Sequence, residues 1–143
     1  MEKLSLSSSI QIKASALNVW DVLTNPEEIK KYLFGTETIT DWKEGNPIKF
    51  KGIWEGKNYE DHGTILKIDN AKILQYSYWS SFSGRPDVLE NYLIVTFELK
   101  KVKNKTILTL TNSNFSDEKS MEHSKQNWDT VLKKIKEIAE SKT

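Results

Sequence analysis

From residue 36 to residue 112, apolar side chains recur at every second position, and clusters of turn-forming residues interrupt the series. This pattern constrains the chain more than any other. Alternation puts successive side chains on opposite faces, so each run is a strand with one buried face. Ile48, Phe50, Gly52 and Trp54 share one parity. The predicted strands cover residues 36–42, 48–54, 59–68, 72–79, 92–101 and 105–112. Turns fall at Glu44-Gly45-Asn46-Pro47, Gly56-Lys57-Asn58, Asp69-Asn70 and Lys103-Asn104. Strands joined this closely form an antiparallel meander. A meander of this length twists and curls, and its apolar face needs a cover.

The flanks supply the cover. Met121, Ser124, Trp128, Val131, Leu132, Ile135 and Ile138 recur every three or four residues, which predicts one long amphipathic helix. Ser116 is its expected N-cap, with Asp117 and Glu118 suited to the positive first turn. Near the other end, Leu4, Leu6, Ser8, Ile10 and Ile12 alternate as a further strand. Ser15 then caps a short helix carrying Ala16, Val19, Trp20 and Leu23. Asn25 and Pro26 open a second short helix with Ile29, Tyr32 and Leu33 on its apolar side, and Gly35 ends it. The expected fold class is α+β, in a single domain spanning residues 1–143. Its sheet wraps around the long helix, two short helices close one end, and a hollow can remain between helix and sheet.

Composition narrows the function. Cysteine is absent, which removes thiol chemistry and fits a reducing compartment, so a cytoplasmic location is expected. Lys and Arg number 21 against 20 Asp and Glu, so no broad field attracts nucleic acid or an anionic membrane. No apolar run approaches the roughly 20 residues of a membrane span. The two histidines, His62 and His123, lie in no metal-binding spacing, so no metal and no cofactor is expected. There is no G-x-S-x-G elbow and no glycine-rich phosphate cradle. Glu55, Glu60 and Asp61 neighbour Trp54 and Tyr59, where desolvation could prepare a carboxyl for proton transfer; the plainer reading makes them exposed solubilising charges.

Five Trp, five Tyr and five Phe remain to be placed. Trp20, Phe97 and Trp128 are expected in the core. Trp54, Tyr78, Phe82 and Tyr92 are candidates for the wall of the hollow, with ordinary packing as the alternative. Tyr76 and Tyr78 share a face by parity, and Trp79 takes the other. The segment SSFSGRPDVLENY, residues 80–92, is longer than a hairpin needs and carries Gly84 and Pro86. Its apolar Phe82, Val88 and Leu89 fit either a wide loop tucked onto the core or a mobile rim over the mouth. In the second case Arg85 would be available to an acidic group on a ligand.

Four stretches also carry a family likeness. ASALNVWDVLTNPEEIKKYL, through Val19, Trp20, Leu23, Thr24, Pro26 and Glu27, resembles the opening helices of START-like (SRPBCC, Bet v 1-like) domains of the branch related to the activator of Hsp90 ATPase. Tyr32 stands near that branch's usual second Trp. WKEGNPIKFKGIWEGKNYEDHGTILKID is similar to its next block, KTILTLT to a later strand, and NWDTVL to its helix motif, with Asn127 where a Gly is usual. The resemblance implies a helix-grip fold: a curved antiparallel sheet of six to seven strands around a long C-terminal helix. It implies a cavity for a small hydrophobic or amphipathic molecule, and Trp54, Tyr78, Phe82, Arg85 and Tyr92, read from the residues above, are the candidate contacts. It also leaves two alternatives, a chaperone-interaction module and an enzyme with a Tyr or carboxyl as proton donor in the same cavity.

Overall fold

The computed structural model describes residues 4–142. The order is β1 (Leu4–Ile12), α1 (Ala16–Thr24), α2 (Pro26–Tyr32), β2 (Glu37–Ile39), β3 (Pro47–Trp54), β4 (Lys57–Asp69), β5 (Ile73–Tyr78), a 3-10 turn (Leu89–Asn91), β6 (Leu93–Val102), β7 (Lys105–Phe115) and α3 (Glu118–Ser141). The seven strands form one curved antiparallel sheet in the order β1-β7-β6-β5-β4-β3-β2. This is the α+β sheet wrapped on a long helix that the pattern predicts, in the helix-grip arrangement that the resemblance implies.

Local chemistry sets the element ends. Ser15 accepts from the Asn18 amide at 3.1 Å and starts α1. Asn25 closes α1 by donating its amide to Asp21 O, and its side chain accepts from the Glu27 amide to start α2. Pro26 occupies the first turn of α2, where its missing N–H is not needed. Two boundaries differ from expectation. Asp117, not Ser116, caps α3, its Oδ1 accepting from the Ser120 amide at 2.8 Å. The expected strand at 36–42 survives only as Glu37–Ile39, because Trp42 adopts a left-handed backbone with φ 58° and Thr40 turns its hydroxyl to Pro47 O.

The sheet bends sharply in β4. Its register against β5 shifts between Ile65 and Lys67. Beyond the shift, the Thr64 amide donates to the Ser77 hydroxyl. Gly63 passes so close to Ser77 that a Cβ there would occupy the space of the Ser77 carbonyl oxygen. Only glycine allows this approach, and the added twist curls β3 and β4 over the helix. Gly52 has a gentler role: its missing side chain leaves room for the Tyr59 ring across the strand pair.

The core joins the helices to the far half of the sheet. Val19, Val22 and Leu23 of α1, Ile29 of α2, Val131, Leu132, Ile135 and Ala139 of α3, and Ile12, Leu108 and Leu110 of the sheet are all buried. Full burial of such a side chain contributes roughly 1.5–3 kcal/mol. Polar ties align α3 with β1: the Lys13 amide donates to Glu140, Lys136 to Gln11 O, and Ser8 to Asp129. Trp20 and Phe97 are buried as expected. Trp128 is not fully in the core. It is half-buried, with one edge on Phe97 at 5.7 Å and another part of its surface toward the open end of the fold.

Candidate functional site

The C-terminal half of α3 is packed tightly, and its N-terminal half stands off the curled sheet. Between them lies a hollow of about 770 Å³. That volume falls within the roughly 300–1,000 Å³ usual for small-molecule sites. Val131 and Trp128 face it from α3, and Tyr76, Tyr78, Leu93 and Val95 from the middle of the sheet. Phe34, Ile53, Trp54 and Phe82 border it and remain more than half exposed, at 56, 69, 55 and 55%, which marks them as its mouth.

The wall is apolar with a few placed polar groups. Asp61 of β4 is 5% exposed and lines the hollow. Its Oδ2 accepts from the Tyr78 hydroxyl at 2.6 Å, and its Oδ1 accepts from the Ser81 amide at 2.9 Å and hydroxyl at 3.2 Å. Burial, with the neighbouring Asp61 charge, holds the Tyr78 phenol well above the ordinary tyrosine range. Tyr78 therefore keeps its proton and orients Asp61; it is a poor proton donor for chemistry. A second pair, Thr36 and Tyr59, shares a hydrogen bond of 2.6 Å between hydroxyls. Asn112 of β7 is 2% exposed and also faces the hollow. Its Nδ2 reaches Ser124 Oγ of α3 at 3.4 Å, and its Oδ1 has no partner among the described residues.

The candidate residues from the sequence divide into two groups. Trp54, Tyr78 and Phe82 line the hollow, and the Phe82 ring lies 5.5 Å from that of Tyr59. Arg85 and Tyr92 stand outside it. Arg85 forms an ion pair with Asp117 at 3.1 Å. Tyr92 has the parity of Ile94 and Thr96, opposite to Leu93 and Val95, and its hydroxyl donates to Asp87. His62 also contacts Asp87, at 2.8 Å, and stacks obliquely on Trp79. The Trp79 indole donates to Arg85 O. Half of the 80–92 segment is thus fastened to the outer face of the sheet, while residues 80–83 border the hollow.

Asp61 overturns its expected place among exposed charges; Glu60, paired with Lys49, does not. Its position was readable, because Tyr59, Asp61, Gly63 and Ile65 share one parity and Ile65 is buried. Asn112 was readable in the same way, as the polar member of the series Leu108, Leu110, Asn112. Among the described residues no group of three or more His, Cys, Asp or Glu could hold a metal ion. None of the helices described is long and apolar enough to cross a membrane.

The family model described as Activator of Hsp90 ATPase homolog 1-like protein matches residues 13–140. The solution structure of ChR145 from Cytophaga hutchinsonii is 45% identical, with a TM-score of 0.86; the match covers 99% of this chain and 97% of that one. The Aha1 dimer from Colwellia psychrerythraea is 21% identical over 96% of each chain, with a TM-score of 0.76. CalU16 from Micromonospora echinospora is 20% identical over 96% of this chain and 76% of that one, with a TM-score of 0.77. The last two likenesses concern the fold alone. No curated protein sequence matches the chain.

Proposed function

Because the chain belongs to the Activator of Hsp90 ATPase homolog 1-like family and encloses a ring-lined hollow, we propose that it binds a small hydrophobic or amphipathic molecule between sheet and α3. The hollow itself carries this reading. A fold of this size fills its interior to crystal-like density unless something else occupies the space. Here about 770 Å³ stays open beside Tyr76, Tyr78, Trp128 and Val131. Trp54, Tyr78 and Phe82 are the contacts we assign to the ligand; Arg85 and Tyr92, set apart from it, are given none. A cysteine-free chain suits the reducing cytoplasm, where we place the protein. Native mass spectrometry of freshly purified protein tests the proposal. A retained small molecule, or uptake of an added apolar dye that competes with it, is expected. A protein that stays at its bare mass with every apolar probe would refute it.

A second reading, as a chaperone-interaction module, is favoured by the family's description and by the Aha1 relative. Titration into an Hsp90-type ATPase, with turnover as the readout, separates the two.

A further inference from the structure

We propose that the hollow selects for apolar ligands carrying a neutral hydrogen-bond donor and against those carrying an anion. The inference rests on the ligand-binding reading above and adds the chemistry of the ligand.

The wall offers a guest few polar groups. Several of its donors are engaged. The Tyr78 hydrogen goes to Asp61, the Thr36 and Tyr59 hydroxyls share one bond, and the Asn112 Nδ2 faces Ser124. The Tyr76 hydroxyl, on the same wall, has no hydrogen-bond partner among the described residues, and one buried acceptor is free as well. Asn112 Oδ1 is buried with no partner among the described residues, and an amide oxygen has two lone pairs. A buried acceptor left unpaired is destabilising, and a ligand hydroxyl or amine would relieve that. The strand register puts Asn112 beside Val95 and Val95 beside Tyr76, so the free oxygen lies on the apolar wall and not at the wet mouth.

Charge points the same way. The wall contains a carboxyl, Asp61, and no Lys or Arg. Arg85, the cation that could have met an acid, is engaged with Asp117. The nearest alternative, Lys134, sits over the Phe34 ring at 4.8 Å, at the rim. His123 borders the hollow from an exposed stretch of α3, outside the buried wall that holds Asn112. An anion driven to the depth of Asn112 would lose its water and meet an acceptor, with no cation to offset the loss.

Three probes of nearly one shape decide the matter: 2-naphthol, 2-methoxynaphthalene and 2-naphthoate, titrated into the protein near pH 7.5 by tryptophan fluorescence and checked by NMR shift mapping. Naphthol should bind roughly tenfold tighter than the methyl ether, and naphthoate weakest. Asn112→Val should erase the preference for naphthol over the ether while leaving the ether's own affinity in place. Asn112→Asp, which keeps an acceptor, should retain the preference. Equal binding of all three, or a preference for the ether or the acid, would leave the cavity reading intact and overturn the selectivity. Binding of none would sink both. Should Asn112→Val fail to fold, the three-probe series on the native protein decides alone.

Discussion

The α-carbon of Gly63 is pressed against the carbonyl of Ser77, with no room for a side chain between β4 and β5. Backbone cannot move aside as a flexible side chain can. Gly63→Ala should therefore cost about 3 kcal/mol or more in urea melts, at or beyond the upper end for overpacking. At Gly52 the obstacle is the Tyr59 ring, whose Cζ would lie 2.6 Å from an added Cβ; a side chain can swing outward, so Gly52→Ala should cost less. Gly84, open on all sides but at φ 72°, should cost about 1 kcal/mol as Ala. A Gly63→Ala protein as stable as the native one would disprove the close crossing.

Trp128→Ala should destabilise by about 2–3 kcal/mol, less than the 3–5 kcal/mol of a fully buried ring. Part of its surface is already turned to the hollow, so the loss is mainly the contact with Phe97 and its core neighbours. The same variant should admit bulkier apolar probes, measured by competition against a bound dye. A loss near 5 kcal/mol with unchanged probe size would place the ring in the core.

Phe82→Ala separates binding from folding. The ring is 55% exposed, so stability should change by less than about 1 kcal/mol. Affinity for an apolar probe should fall by roughly 1–3 kcal/mol if the ring covers the guest. Arg85→Gln should lower that affinity much less than Phe82→Ala, since Arg85 pairs with Asp117 and does not line the hollow. Calorimetric titration of both variants reads the contrast directly.

Stability should be lost more steeply in alkali than in acid. Burial raises Tyr32, Tyr76 and Tyr78, and burial with the Asp87 hydrogen bond holds Tyr92 up to about 12. The folded chain then keeps protons that the unfolded chain releases near pH 10, so stability falls as pH rises past that point. On the acid side Asp87, Asp117 and Glu140 are lowered, chiefly by the Tyr92 hydroxyl, the Ser120 amide and Lys136. Their contribution is present above about pH 4 and is lost as pH falls below it. These groups are exposed, so the acid limb should be shallow and flatten further in salt. Urea melts between pH 3 and 12 would expose a reversed asymmetry.

Much of the fold could be read from the chain because its signals are local. Ser15 and Asn25 act on amides two or three residues away, Pro26 fits the first turn through its own ring, and alternation along β7 needs no partner to be recognised. What failed depended on distance or on competition between neighbours. Ser116 and Asp117 are adjacent cap candidates, and the choice turns on which one also meets Arg85, 32 residues away. Trp42 looks like the end of a strand until its backbone turns left-handed. Tyr92 was assigned by its ring and not by its parity, which Val95 and Phe97 contradict. Asp61 was judged by its charge, although its strand position faces inward.

The carboxylate of Asp117 serves two masters. One oxygen caps the first turn of α3, and the other holds Arg85 in the segment that borders the mouth. An outward swing of that segment would break its grip and free one oxygen of the carboxylate that caps the helix. If the hollow takes a guest, ordering of the segment beside it should be felt at the start of α3 through this carboxylate. Its signature would be correlated hydrogen exchange: the amides of Ser81 and Ser120, on different elements, should slow together when the hollow is filled, and Arg85→Gln should uncouple them.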